Sequence, residues 1–253
     1  KDLAKVLSIA YIDTGAMYRS VTYYAMQNGM IDADGNIDTG RLQAAMPDIH
    51  ISFKFNPETG RPDTYLNGIR VEDKIRTLEV SNHVSPIATL GFVREAMVAQ
   101  QREMGKAKGV ILDGRDIGTV VFPDAELKVF VTASAEIRAQ RRYDELTAKG
   151  ETCNYDEILK NVQERDYIDS HREISPLTKA EDAIVLDNSN MTIAEQQEWL
   201  LKLTREAVSA SEGREPKERQ KRNWATERNS IAWETSCTTA RNATVCNSWG
   251  WRQ

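Results

Sequence analysis

Four short apolar runs dominate the pattern: Ala10-Tyr11-Ile12-Asp13, Gly109-Val110-Ile111-Leu112-Asp113, Leu127-Lys128-Val129-Phe130-Val131 and Ala183-Ile184-Val185-Leu186-Asp187. Continuous apolar runs of this length read as strands buried on both faces, the arrangement of a parallel sheet. Amphipathic stretches follow three of them. Thr14-Gly15 opens a helix running through Tyr18, Val21, Tyr24 and Ala25 to a stop at Gly29, a second helix runs from Ser134 to about Lys149, and a third from about Thr192 to Ala207. The expected class is therefore α/β, a parallel sheet covered by helices on both faces. One segment breaks the rhythm. Between His50 and Arg76, Ile51, Phe53 and Phe55 alternate with polar residues, and Tyr65-Leu66 is joined to Ile69-Arg70-Val71 by Asn67-Gly68, a strong hairpin signal. A small antiparallel insert is expected there.

The 253 residues are 40% hydrophobic and 28% charged, which is ordinary globular composition. A net charge of -5 argues against general affinity for nucleic acid or anionic membrane, so an anionic ligand must meet a local cluster of arginines. No apolar run reaches the roughly 18 to 20 residues of a membrane span, and Lys1-Asp2-Leu3-Ala4-Lys5 lacks the core of a signal peptide. The cytosol is the expected location. Cys153, Cys237 and Cys246 have neither CxxC nor zinc-ligand spacing, and His50, His83 and His171 are scattered, so no metal site or histidine base is expected. Lys1 already stands inside a helical pattern with Leu3, Ala4 and Leu7 on one face. From about Gly213 the periodicity stops in a stretch holding four of the five tryptophans and two of the three cysteines.

Ligands of parallel sheets gather at the carboxyl ends of the strands, where the unusual polar residues cluster. Asp13-Thr14-Gly15-Ala16-Met17-Tyr18-Arg19 combines a helix start, with Thr14 as a candidate cap, and an arginine one turn on, which suits a phosphate; a plain capped helix with a surface arginine is the bland alternative. Asp113-Gly114-Arg115-Asp116-Ile117-Gly118 is a loop of two glycines, two carboxylates and an arginine, suited to phosphate or simply an Asp-Gly turn. In the run Glu164 to Arg172, helical spacing puts Arg165 and Asp169 on one face, as a site or as a surface ion pair. Arg138, Arg141 and Arg142 add positive charge after the third strand.

YIDTGAMYR, IRTLEVSNHVSPIA with FVREAM, LDGRDIGTVVFPDAELKVFVTAS, ERDYIDSHR and VLDNSN together resemble the bacterial cytidylate (CMP/dCMP) kinases of the nucleoside monophosphate kinase family, across about residues 1 to 210. The resemblance implies a P-loop kinase type of parallel sheet and ATP-dependent phosphorylation of CMP and dCMP by a cytoplasmic monomer that uses ATP and Mg2+. It also implies the site. Ser85 and Arg94 match residues that read cytosine, and Arg165 and Asp169 match residues near the sugar hydroxyls and acceptor. Arg19 and Arg115 match groups on the CMP phosphate, with Arg172 close by, while Thr14 stands where serine is usual and Asp116 joins the substrate-binding set. Arg138, Arg141 and Arg142 match the start of a mobile lid over the ATP phosphates. Arg115, Arg165 and Arg138 are the implied catalytic residues.

The implied layout is a first core part at 1–49, a CMP-binding insert at 50–90, a second core part at 91–210 with a lid at about 138–175, and a disordered or foreign tail at 211–253. The family's GxxxxGK[ST] phosphate loop does not occur in the 253 residues, Met104-Gly105-Lys106 being the nearest match. The chain is accordingly expected to begin just after that loop, without the family's first strand. Two other function classes stay open at this point. One is a pyrimidine-nucleotide binder without catalysis, and the other is an interaction protein using the basic tail on nucleic acid. Among enzymes, a UMP/CMP-type or other monophosphate kinase is the alternative.

Overall fold

The computed structural model describes residues 1–106, 109–212 and 244–247. The chain opens with α1 (Asp2–Leu7), β1 (Ala10–Asp13), α2 (Thr14–Gln27) and α3 (Thr39–Ala45), then the insert strands β2 (Ile51–Asn56), β3 (Arg61–Leu66) and β4 (Ile69–Arg70). Next come α4 (Leu78–Thr89), α5 (Gly91–Gly105), β5 (Val110–Asp113), a π-helical turn at Ile117–Val121, β6 (Leu127–Thr132), α6 (Ala135–Ala148) and α7 (Tyr155–His171). β7 (Ile184–Asp187), α8 (Ile193–Glu212) and β8 (Thr244–Asn247) complete it.

The main sheet is parallel throughout, in the order β1-β5-β8-β6-β7. Because strand side chains alternate between faces, neighbouring residues of β1 and β5 feed different cores. Ile12, Val110 and Leu112 pack with Met17, Val21, Val84, Ile87, Val93 and Met97 beneath α2, α4 and α5. Tyr11 and Ile111 face the other way, joining Val129, Val131 and Leu186 against Leu3 and Ala4 of α1 and Trp199, Leu200 and Leu203 of α8. A third small core of Ala139, Leu146, Ile158 and Val162 holds α6 against α7. The α/β class is thus the observed one. β7, at the sheet edge, leaves Ile184 and Val185 exposed despite its apolar run.

The insert is a three-stranded antiparallel sheet in the order β2-β3-β4. Its β3–β4 turn uses Asn67 and Gly68, both with positive φ (49° and 81°), as a two-residue turn matched to strand twist requires.

Thr244–Asn247 falls within the stretch expected to be a tail. The backbone of β8 lies in the middle of the sheet, pairing Thr244 to Asn247 with Val110 to Asp113 on one side and Val245 to Asn247 with Leu127 to Val129 on the other. Two facing apolar strands leave rows of backbone N–H and C=O groups that need partners, and Thr244-Val245-Cys246 is a short run able to supply them. Residues 213–243 and 248–253 lie outside the described residues. No helix among the described residues is long and apolar enough to cross a membrane.

Candidate active site

The register of β1 on β5 sets Asp13 level with Asp113 at the carboxyl edge of the sheet. Asp13, rather than Thr14, caps α2: its Oδ1 accepts from the Ala16 N–H at 3.0 Å. Thr14 is already the first helical residue, and its hydroxyl donates to the Asp113 carbonyl at 2.7 Å, tying the first strand-to-helix turn to the second. The Asp113 carboxylate accepts from the Tyr11 hydroxyl at 2.8 Å, and its buried Oδ1 has no partner among the described residues. Burial pushes this carboxyl above its usual range.

Gly114 sits where a Cβ would lie 2.2 Å from Thr14 Oγ1 and 2.7 Å from Ile117 Cδ1. Gly114→Ala is therefore expected to break the Thr14–Asp113 bond and cost about 1–3 kcal/mol. Thermal melts of the Gly114→Ala and Thr14→Val chains test this, and a Gly114→Ala chain melting with the wild type would contradict it.

Four arginines converge beside this edge. From the loop after β5, Arg115 donates through Nε to Asp169 Oδ2 of α7 at 2.8 Å, and Arg172 Nη1 reaches the other oxygen of Asp169 at 3.5 Å. Burial alone would raise the Asp169 carboxyl, yet Arg115 and Arg165 hold it below the ordinary carboxylate range. Arg165 is buried and donates to Ser85 Oγ at 3.4 Å and Ser81 Oγ at 3.3 Å of α4. Arg19 of α2 makes no ion pair with the described residues. Burial, then the like charges of Arg76, Arg115 and Arg142, pushes the pKa of Arg19 down to about 9; burial, then Arg115 and Arg19, does the same to Arg165. Guanidinium groups keep their protons in practice, so these shifts mark two desolvated cations, with burial the larger cause and like charge the smaller.

Deeper in the same cleft, Arg94 and Asp116 form a fully buried ion pair. Arg94 also donates to the Ala88 carbonyl at 3.3 Å, and its guanidinium carbon lies 5.7 Å from the centre of the Tyr18 ring. Thr14, Arg19, Ser85, Arg94, Arg115, Asp116, Arg165, Asp169 and Arg172 all line this one cleft of about 800 Å³ between the insert, α2, α4 and α7. Arg165 and Asp169 are thus buried rather than on the surface of α7, while Arg19 is half-buried on the cleft wall.

Of the three arginines of α6, Arg138 and Arg141 go elsewhere. A second cleft of about 210 Å³ is bounded by Arg138, Arg141, Arg142 and Asn188 with Val131, Met191 and Leu200. Arg138 holds Asp166 with both terminal nitrogens at 3.0 and 2.5 Å, and Arg141 grips Asn188 at 3.1 and 2.7 Å. Arg142 pairs with Glu145 at 2.8 Å and faces both clefts. The two clefts share Lys1, Arg61, Asp113 and Arg142 as common wall.

Sequence reasoning missed Arg76, which lines the larger cleft and binds Asp13 at 2.9 Å. A signal was available. Arg76 directly precedes Thr77, the N-cap of α4, a place where the helix dipole disfavours positive charge unless carboxylates compensate.

An arginine-lined cleft at the carboxyl edge of a parallel sheet, sharing a wall with a second cationic cleft, suits anionic ligands. Residues 1–206 match the cytidylate kinase family, and the chain belongs to it. It is similar to cytidylate kinases of Bacteroides fragilis (66% identity over 210 residues, 83% of this chain and 91% of the relative) and Phocaeicola vulgatus (65% over 209 residues, 83% and 91%). The cytidylate kinase of Flavobacterium johnsoniae is 56% identical over 208 residues, 82% of this chain and 90% of the relative.

Proposed function

We propose that this chain transfers the γ-phosphoryl group of ATP to CMP and dCMP. The observation that carries the reading is the common wall of Lys1, Arg61, Asp113 and Arg142 between a large and a small cationic cleft, since in-line transfer needs donor and acceptor phosphates to meet end to end. In this reading Ser85, Arg94 and Asp116 take the cytosine, Asp169 and Arg172 the sugar side, and Arg19, Arg115 and Arg165 the acceptor phosphate. Thr14 holds the loop on which Arg115 stands.

No general base is required, because the attacking phosphate oxygen is already anionic at neutral pH. What the residues must do is bring two polyanions together. Arg19, Arg115 and Arg165 line one cleft, and a phosphate entering it is held by their combined positive charge. On the far side of the wall, Arg138, Arg141 and Arg142 would face the phosphates of Mg2+-bound ATP, with Asp113, which lines both clefts, as the carboxylate beside them. Bound there, ATP supplies the phosphoryl group and Mg2+ neutralises it.

The direct test is ADP formation by the purified 253-residue chain with CMP, dCMP and UMP, beside calorimetric CMP binding. Turnover with CMP and dCMP above UMP supports the reading, and absence of both CMP binding and turnover ends it. CMP binding without turnover would instead support the nucleotide-binder reading. Arg165→Lys is expected to cut turnover about 100-fold while keeping the charge, because lysine cannot hold Ser81, Ser85 and a phosphate with one planar group. Near-wild-type turnover would reduce Arg165 to a structural buried cation. The reading also carries a cytosolic monomer, which the elution volume on size exclusion checks for oligomeric state.

A further inference from the structure

We infer that Arg76 is a positioning residue that ties the antiparallel insert to the acceptor-phosphate end of the cleft; the choice of CMP as its ligand rests on the reading above. Arg76 closes the short 3-10 turn Lys74–Arg76 that leads from the insert into α4. Its Nη2 donates to Asp13 Oδ2 at 2.9 Å and to Glu72 Oε1 at 2.9 Å, and its Nε adds a bond to Glu72 at 3.2 Å. The other oxygen of Glu72 accepts from the Thr64 backbone N–H at 3.1 Å and the Thr64 hydroxyl at 2.5 Å. Thr64 lies in β3, the central strand of the insert, while Asp13 caps the helix that carries Arg19. A chain of hydrogen bonds thus runs Thr64–Glu72–Arg76–Asp13, from the insert to the phosphate-facing helix. From α6, Arg142 Nη2 also donates to the Arg76 carbonyl at 3.3 Å.

Two properties make Arg76 more than a tether. The guanidinium holds Asp13 through Nη2 and Glu72 through both Nη2 and Nε, a two-nitrogen grip that the single nitrogen of lysine cannot reproduce. Arg76 is also the strongest like charge acting on Arg19 and lines the cleft itself. A phosphate dianion arriving between Arg19 and Arg115 draws the guanidinium inward, and Glu72 with β3 follows because both are bonded to it.

Hydrogen exchange of the 253-residue chain, read on the amides of β2, β3 and β4 with and without CMP, tests the tie. In the wild type CMP is expected to slow exchange of these amides. Arg76→Ala and Arg76→Lys are both expected to abolish that slowing and to weaken CMP binding about tenfold. Failure of lysine to rescue is the discriminating point, since charge alone would be restored by it. Glu72→Gln leaves the guanidinium untouched and is expected to lose the slowing as well. An Arg76→Lys chain that binds CMP like the wild type, or a CMP-dependent slowing that survives in Glu72→Gln, overturns the inference. Should the wild type bind no CMP, the substrate reading fails separately, and the tie is judged in the free protein: faster insert exchange in both Arg76 variants supports it, and unchanged exchange refutes it.

Discussion

Arg94→Ala is expected to lower the melting temperature by about 10 °C and to abolish CMP binding. The pair with Asp116 is almost wholly shielded, with side-chain exposures of 3% and 5%. Removing one partner strands the other charge in a site water does not reach, at a cost of about 3–5 kcal/mol. For a chain of this size about 2–4 °C is lost per kcal/mol. The informative companion is Arg94→Met with Asp116→Leu. Replacing both charges by apolar groups of similar volume removes the stranded carboxylate, so stability is expected to return to near the wild-type melt. CMP binding is not expected to return with it, because the pair lines the cleft and offers the polar edge that a pyrimidine needs. A double variant that regains both would assign the pair to the fold alone, and a single variant that loses neither would make it dispensable.

The strand framework was legible because β1, β5, β6 and β7 each announce themselves by a short apolar run, interrupted in β6 by Lys128, and the hairpin because Asn67-Gly68 is strongly preferred at its turn. What the spacing could not convey was which face of each helix would be buried. Arg165 and Asp169 stand one turn apart on α7 and act on each other's charge, but Arg165 also reaches Ser81 and Ser85 of α4, and Asp169 also holds Arg115 and Arg172. Those contacts join elements up to 84 residues apart, and no local rule anticipates them. The cap of α2 was ambiguous for a smaller reason: Asp13 and Thr14 are both good capping residues, and a one-residue difference in helix start decided between them. The roles assigned to individual arginines came from family resemblance. The structure adds that the arginines of α2, the β5 loop and α7 share one cleft, whereas Arg138 and Arg141 of α6 line the other.

The largest effect on the fold is expected from removing residues 213–253. The sequence pattern gave β8 no prominence, yet its backbone sits between β5 and β6, with four residue pairings to one and three to the other. A net contribution of about 0.5–1.5 kcal/mol per hydrogen bond puts the two ladders at roughly 4–10 kcal/mol, against a typical total stability of about 5–15 kcal/mol. Without β8 the sheet is split into β1-β5 and β6-β7, each presenting an unpaired edge in what was its centre. Because Asp113 and Arg115 leave the sheet directly from β5, the acceptor cleft would lose its floor along with the sheet. A polypeptide of residues 1–212 is therefore expected to melt without a cooperative transition and to bind CMP poorly. Val245→Pro in the full chain asks the same question with one substitution, since proline removes a backbone N–H from the ladder and is not tolerated within a central strand. If residues 1–212 melt as cooperatively and at the same temperature as the full chain, β8 contributes nothing to the sheet, and β5 with β6 must be stable without it.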